Sequence, residues 1–163
     1  MRTVLATAVA AATLLAPAAT ARVAFSGDPC KLVTTKQVAA FGVPTACKPT
    51  TLKGPGFTAS DARWNPKATG AQPHLFVGVN TYASRSGPVW QIGIQTLSKL
   101  PGHAKKVSGI GSAAYESGGD GSTLSVINFV VGNQIVDINL RTPTPPTSLA
   151  QLNALAKSVA AKL

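Results

Sequence analysis

The chain reads as an α+β domain of two layers, in which an antiparallel sheet of about four or five strands packs against two or three helices. Three observations predict this. Thr123 to Val131 and Gln134 to Arg141 flank Gly132-Asn133, a two-residue turn of the hairpin kind. Near the C-terminus, Leu149, Leu152, Leu155, Val159 and Leu163 recur at helical spacing. Apolar residues make up 45% of the chain, and its 15 Gly and 12 Pro fall largely between the apolar runs, as they do where short elements are joined by turns. A helix with one apolar stripe and a hairpin with one apolar face each need a cover, and the economical solution is that they cover each other.

The segment before the domain has a different character. Met1-Arg2-Thr3 is followed by an uncharged run from Val4 to Leu15 and then by Ala16-Pro17-Ala18-Ala19-Thr20-Ala21. A positive start, an apolar stretch of about a dozen residues and a small-residue A-x-A site are the parts of a secretory signal peptide. The run is too short for a bilayer that needs roughly 20 apolar residues. Residues 1–21 are therefore expected to be a cleaved leader and 22–163 one exported domain, released as a soluble protein. Cys30 and Cys47 are the only cysteines. Downstream of an export signal they are expected to form a disulfide. Cys30 follows Ser26-Gly27-Asp28-Pro29, far from the apolar run, so it does not fit a lipid-attachment cysteine.

Within the domain, Thr34-x-x-Gln37 is a capping box that opens a short helix, and Val33 with Val38 can form its hydrophobic staple. Gly42 and Pro44 stop it. Lys48 to Phe57, rich in Pro, Gly, Thr and Lys, reads as a loop, and Ala59 to Asn65 as a short strand. His74 to Ala83 alternates Leu75, Val77, Val79 and Thr81 against Phe76, Gly78, Asn80 and Tyr82, which predicts a strand. Pro88 to Leu100 fits either a strand or a helix, because Trp90, Ile92 and Ile94 alternate while Trp90, Ile94 and Leu97 share a helical face. In the late hairpin, pairing across Gly132-Asn133 sets Phe129 opposite Val136 and Ile127 opposite Ile138. On the reverse face it sets Asn128 opposite Asp137 and Val126 opposite Asn139. Ser148-x-x-Gln151 forms a second capping box before the C-terminal helix.

Charge bears on partners. Only Asp28, Asp61, Glu116, Asp120 and Asp137 are acidic, against 15 Lys and Arg, for a formal net charge of +10. Such an excess favours anionic partners, here an anionic cell-wall polymer or lipid headgroups. Lys99, His103, Lys105 and Lys106 are the one local concentration and a candidate anion-binding set. Nucleic acid is not expected, because Arg63-Trp64 is the only adjacent basic–aromatic pair and stacking platforms need more. No transmembrane helix is predicted beyond the leader, and a monomer is expected.

Chemistry is harder to find. Gly109-Ile110-Gly111-Ser112-Ala113-Ala114 is similar in outline to a dinucleotide fingerprint, but strand and turn residues follow where a helix is required. Gly118-Gly119-Asp120-Gly121 lacks the neighbouring carboxylates that calcium needs. His74 and His103 are the only histidines, His103 lies among lysines with no acid close in sequence, and there is no G-x-S-x-G elbow. No metal or cofactor is expected. Trp64, Trp90, Phe76 and Tyr82 could line a ligand pocket or fill the core. The sequence thus points to an exported, non-enzymatic protein that binds a ligand or partner at the cell envelope or outside the cell. Two alternatives stay open: a carrier of a small apolar molecule held between sheet and helices, and a small secreted hydrolase using one of the histidines.

Asp28-Pro29-Cys30-Lys31-Leu32-Val33-Thr34 running into a short helix, Val107 to Tyr115 in mid-chain, the late hairpin and the alanine-rich C-terminal helix together form a pattern. It resembles small exported proteins and lipoproteins of actinobacteria that share a domain of unassigned function, with D-P-C-x-L the most specific part. The resemblance implies helices against an antiparallel sheet and a helix over Pro88–Leu100, and it implies no catalytic residues. This chain departs from the lipoprotein members in lacking their lipid-attachment cysteine.

Overall fold

The computed structural model describes residues 25–69, 72–100, 104–118, 123–142 and 149–163. The expected leader and cleavage site, His103, the Gly119-Asp120-Gly121 sequence and Ser148 of the expected second capping box lie outside them.

A 3₁₀ turn at Pro29–Leu32 is capped by Asp28, whose side chain accepts from the Cys30 amide at 2.9 Å. Helix α1, Thr35–Ala40, then starts on the expected capping box. The Gln37 amide donates to Thr34 Oγ1 at 3.2 Å, and the Thr34 amide donates to Gln37 Oε1 at 2.8 Å. Gly42, at φ 68°, ends it by donating its amide to the Ala39 carbonyl.

Seven strands follow: β1 Cys47–Gly54, β2 Phe57–Trp64, β3 His74–Tyr82, β4 Lys105–Val107, β5 Ala113–Ser117, β6 Leu124–Val131 and β7 Gln134–Arg141. Helix α2, Pro88–Thr96, lies between β3 and β4, and helix α3, Leu149–Ala160, follows β7. The strands form one antiparallel sheet in the order β1-β2-β3-β7-β6-β5-β4. It is built from a three-stranded and a four-stranded meander joined where β3 pairs with β7. Seven strands replace the expected four or five.

The stretch read as a loop at Lys48–Phe57 is most of β1 and its turn to β2. Residues 48–53 are all exposed on this edge strand, so no apolar alternation marks it. Pro49 is tolerated because an edge strand need not donate on its outer side. Pro55-Gly56, with Gly56 at φ 78°, then makes the tight turn that joins the strands.

The late hairpin has the expected register: Phe129 pairs with Val136, Ile127 with Ile138, Asn128 with Asp137 and Val126 with Asn139. At its turn only Gly132 has a positive φ, 57°, which is the type II′ pattern.

The main core lies on one face of the sheet. Val77, Val79, Ile127, Phe129, Val136 and Ile138 pack there with Val38 of α1 and with Leu152, Leu155, Ala156 and Val159 of α3. Helix and hairpin do cover each other. Helix α2 packs on the opposite face, where Trp90 and Leu97 meet Tyr82, Val130 and Ile135. The helices therefore lie on both faces, and at one end the expected two layers become three. Gly93 allows α2 its close approach, since a Cβ there would stand 2.6 Å from both the Tyr82 hydroxyl and Ile135 Cδ1. A disulfide joins Cys30 to Cys47, with 6.0 Å between the Cα atoms, and so ties the 3₁₀ turn to the start of β1.

Candidate functional site

The second face of the sheet holds the polar chemistry. Strand alternation sends Ala62, Trp64, Leu75, Val77, Val136 and Ile138 to the main core, and the intervening residues to the other side. Those intervening residues include Asp61, Arg63, Phe76, Asn80, Asp137, Asn139 and Arg141. Among the described residues, α2 is the only helix on this face, and its contacts lie at the Tyr82–Ile135 end.

Register builds the site row by row. In one row Asp61, Gly78 and Asp137 are successive cross-strand partners, continued by Asn128 and Tyr115. Asn80 Nδ2 donates to Asp137 Oδ2 at 3.2 Å. The Asn128 amide, oriented with its nitrogen toward the carboxylate, donates to Asp137 Oδ1 at 2.9 Å. Burial pushes the Asp137 carboxyl up to about 6; the Asp61 charge adds to the rise, and the Asn80 hydrogen bond opposes it. Burial, with the Asp137 charge second, also raises the Tyr82 phenol. Sequence inspection placed no two carboxylates together. Asp137 was visible opposite Asn128, but nothing in the sequence sets the register of β2 on β3 and of β3 on β7.

The next row, away from α2, runs Lys48, Arg63, Phe76, Asn139. Beyond it, His74 pairs with Arg141, and Arg141 with Leu124. Arg63 is held from two sides. Its guanidinium carbon lies 5.3 Å from the centroid of the Phe76 ring, and Nη2 stands 3.5 Å from Asp61 Oδ2. It remains 54% exposed, and a guanidinium with five N–H donors keeps donors for a ligand. The Phe76 ring leans over Gly78, where an added Cβ would come within 2.9 Å of it. Arg63, His74, Phe76, Asn139 and Arg141 line a groove of about 410 Å³, walled on one side by the β2–β3 loop at Asn65 and Pro66. Asn65, at φ 58°, shapes that wall, and its side chain donates to the Pro73 carbonyl at 2.8 Å.

The aromatic residues singled out as a possible pocket are not brought together. Phe76 and Trp64 border this groove, with Trp64 itself 2% exposed and packed in the main core. Tyr82 and Trp90 instead meet edge-on at 5.3 Å under α2, on the opposite face of the sheet from the Trp64 ring. The lysine set divides as well. Lys105 and Lys106 are successive residues of edge strand β4 and point to opposite faces, while Lys99 lies in the segment after α2. His74 Nδ1 faces the Gln72 carbonyl at 3.4 Å; among the described residues no carboxylate or hydroxyl orients this ring.

Other motifs find structural roles. Residues 108–112 make the turn between β4 and β5, with Gly109 and Gly111 at positive φ and Ile110 buried, and Ala113 and Ala114 begin β5. A Cβ on Gly111 would stand 2.0 Å from the Val130 carbonyl oxygen, to which the Ser112 amide also donates. Both cysteines are oxidised. No described group of three or more His, Cys, Asp or Glu forms a potential metal site, and no described helix is long and apolar enough to cross a membrane. A scan against protein-family models, a search of curated proteins and a search of solved structures each returned no match.

Proposed function

We propose that this is an exported, non-enzymatic binding protein that holds an anionic group of a cell-envelope or extracellular ligand on the second face of its sheet. One observation carries the reading: the groove lined by Arg63, His74 and Arg141 on the part of that face not occupied by α2. The guanidinium groups of Arg63 and Arg141 gathered on one rigid sheet, with the His74 imidazole between them as a hydrogen-bonding group, favour an anion at that place, where a scattered surface excess does not. Arg63, oriented by the Phe76 ring and the Asp61 carboxylate, loses little side-chain freedom on binding. Export rests on the leader-like N-terminus and agrees with the disulfide. The D-P-C-x-L opening connects this proposal to the exported actinobacterial domains.

The geometry favours neither alternative. A carrier was to hold its cargo between sheet and helices with Trp64 and Trp90 both near the pocket, and these two side chains lie on opposite sides of the sheet. A hydrolase built on His74 would need an orienting carboxylate and a nucleophile, and the ring's described hydrogen-bond partner is a backbone carbonyl. The test is retention of the disulfide-bonded protein on an immobilised carboxylated polymer at low ionic strength. Retention is expected, with release by moderate salt and marked weakening by Arg63→Gln. Equal retention of wild type and Arg63→Gln would remove the groove from the reading.

A further inference from the structure

Three cations and one imidazole on this face form a path. Lys48 of β1, Arg63 of β2, His74 of β3 and Arg141 of β7 lie on four neighbouring strands and on the same side of the sheet. Adjacent strands are about 4.8 Å apart, so the path crosses roughly 14 Å of sheet, with one sideways step of two residues between Arg63 and His74. A compact anion would touch only part of it. Towards α2 the path is bounded by the Asp61–Gly78–Asp137 row, whose charges repel an anionic chain displaced in that direction. The path therefore runs across the strands. On this path the Phe76 ring has Arg63 over its face, which closes that face to a nucleobase.

We infer that the groove and Lys48 together bind a linear, base-free polyanion laid across the four strands, with repeating carboxylate or phosphate groups engaging successive strands. This rests on the anion-binding reading above and sharpens it from an anionic group to a polymer. Contacts made in sequence by one chain reinforce each other, because the first raises the effective concentration of the next.

The experiment uses the full disulfide-bonded domain and measures binding by calorimetry at low and moderate salt. The probes are galacturonate as monomer, trimer and hexamer, inorganic phosphate and short polyphosphate, and a hexathymidylate oligonucleotide. The hexamer is expected to bind at least about tenfold more tightly than the monomer, with most of the gain reached by the length that spans four strands. Lys48→Gln is expected to weaken hexamer binding about threefold or more and to leave the monomer unchanged. Lys53→Gln removes the same charge from the other side of β1, where the residue is also exposed, and is expected to have no effect. Comparison of galacturonate and polyphosphate series identifies which anion the path prefers.

A monomer that binds as well as the hexamer, with Lys48→Gln silent, would overturn the polymer inference and leave a discrete anion site standing. Equal losses from Lys48→Gln and Lys53→Gln would overturn it by reducing the effect to net charge. Hexathymidylate binding as tightly as the best polyanion would overturn the base-free class. Failure of every anion at low salt would overturn the anion-binding reading itself.

Discussion

Asp61 and Asp137 are both cross-strand partners of Gly78, in one row of three antiparallel strands, and the Phe76 ring leans over the glycine between them. Asp61 is balanced by Arg63, while Asp137 lies deeper with two amide donors and, among the described residues, no ion pair. This asymmetry explains why burial and the neighbouring charge raise Asp137 despite its hydrogen bonds.

Stability should therefore depend on pH through Asp137. Its carboxyl is raised from 3.8 to about 6 on folding, so the folded state binds this proton more tightly than the unfolded chain does. The stability linked to it is fully present below 3.8 and is lost as pH rises through about 6. Asp137→Asn removes the titration and is expected to stabilise the protein at pH 7.5 by up to about 3 kcal/mol, with little change near pH 3.5. Urea unfolding at the two pH values checks this; an equal effect of the substitution at both would refute it.

Gly111→Ala is expected to be severe. Its Cβ would lie 2.0 Å from the Val130 carbonyl oxygen, and the residue holds φ 56°. Backbone rather than a flexible side chain blocks the space, so a loss of more than about 3 kcal/mol is expected. Gly42→Ala is the comparison, because its φ is 68° with nothing within 4 Å of the added Cβ, and about 1 kcal/mol is expected there. Denaturant midpoints should rank the two.

Reduction of Cys30–Cys47 should lower stability by about 3 kcal/mol, as expected for closing a loop of this length, with a sequence separation of 17. The bridge fastens an edge strand that has little apolar burial of its own. Loss of amide protection in β1 ahead of β6 and β7, followed by hydrogen exchange under reducing conditions, is the expected signature.

Lys162 Nζ donates to the Leu32 carbonyl at 2.8 Å and to the Lys31 carbonyl at 3.2 Å, joining the end of α3 to the 3₁₀ turn. Lys162→Met keeps most of the aliphatic stem and removes both bonds. A loss of about 1 kcal/mol is expected in thermal or urea unfolding.

Local chemistry was legible in the sequence wherever neighbours in the chain are neighbours in space. The Thr34–Gln37 capping box, the Gly132-Asn133 hairpin with its register, the helical stripe at Leu152, Leu155 and Val159, and the cysteine pair all act over short separations or through a simple period, and all are present in the fold. Pro88–Leu100 could be read two ways because a short apolar segment satisfies both periods; packing of Trp90 and Leu97 on Tyr82 and Ile135 accompanies a helix over Pro88–Thr96. β1 escaped notice because the pattern that marks a strand is burial on one face, and an exposed edge has none. The candidate site depends entirely on tertiary structure. Lys48, Arg63, His74 and Arg141 come together only once β1, β2, β3 and β7 are set side by side, and the β3–β7 pairing joins segments about 60 residues apart. The sequence by itself determined the apolar and polar faces of the strands that bury one side, the cap and turn chemistry, and a basic, leader-like chain. Tertiary structure alone decided which polar residues share a row, because register between distant strands is a property of the assembled sheet.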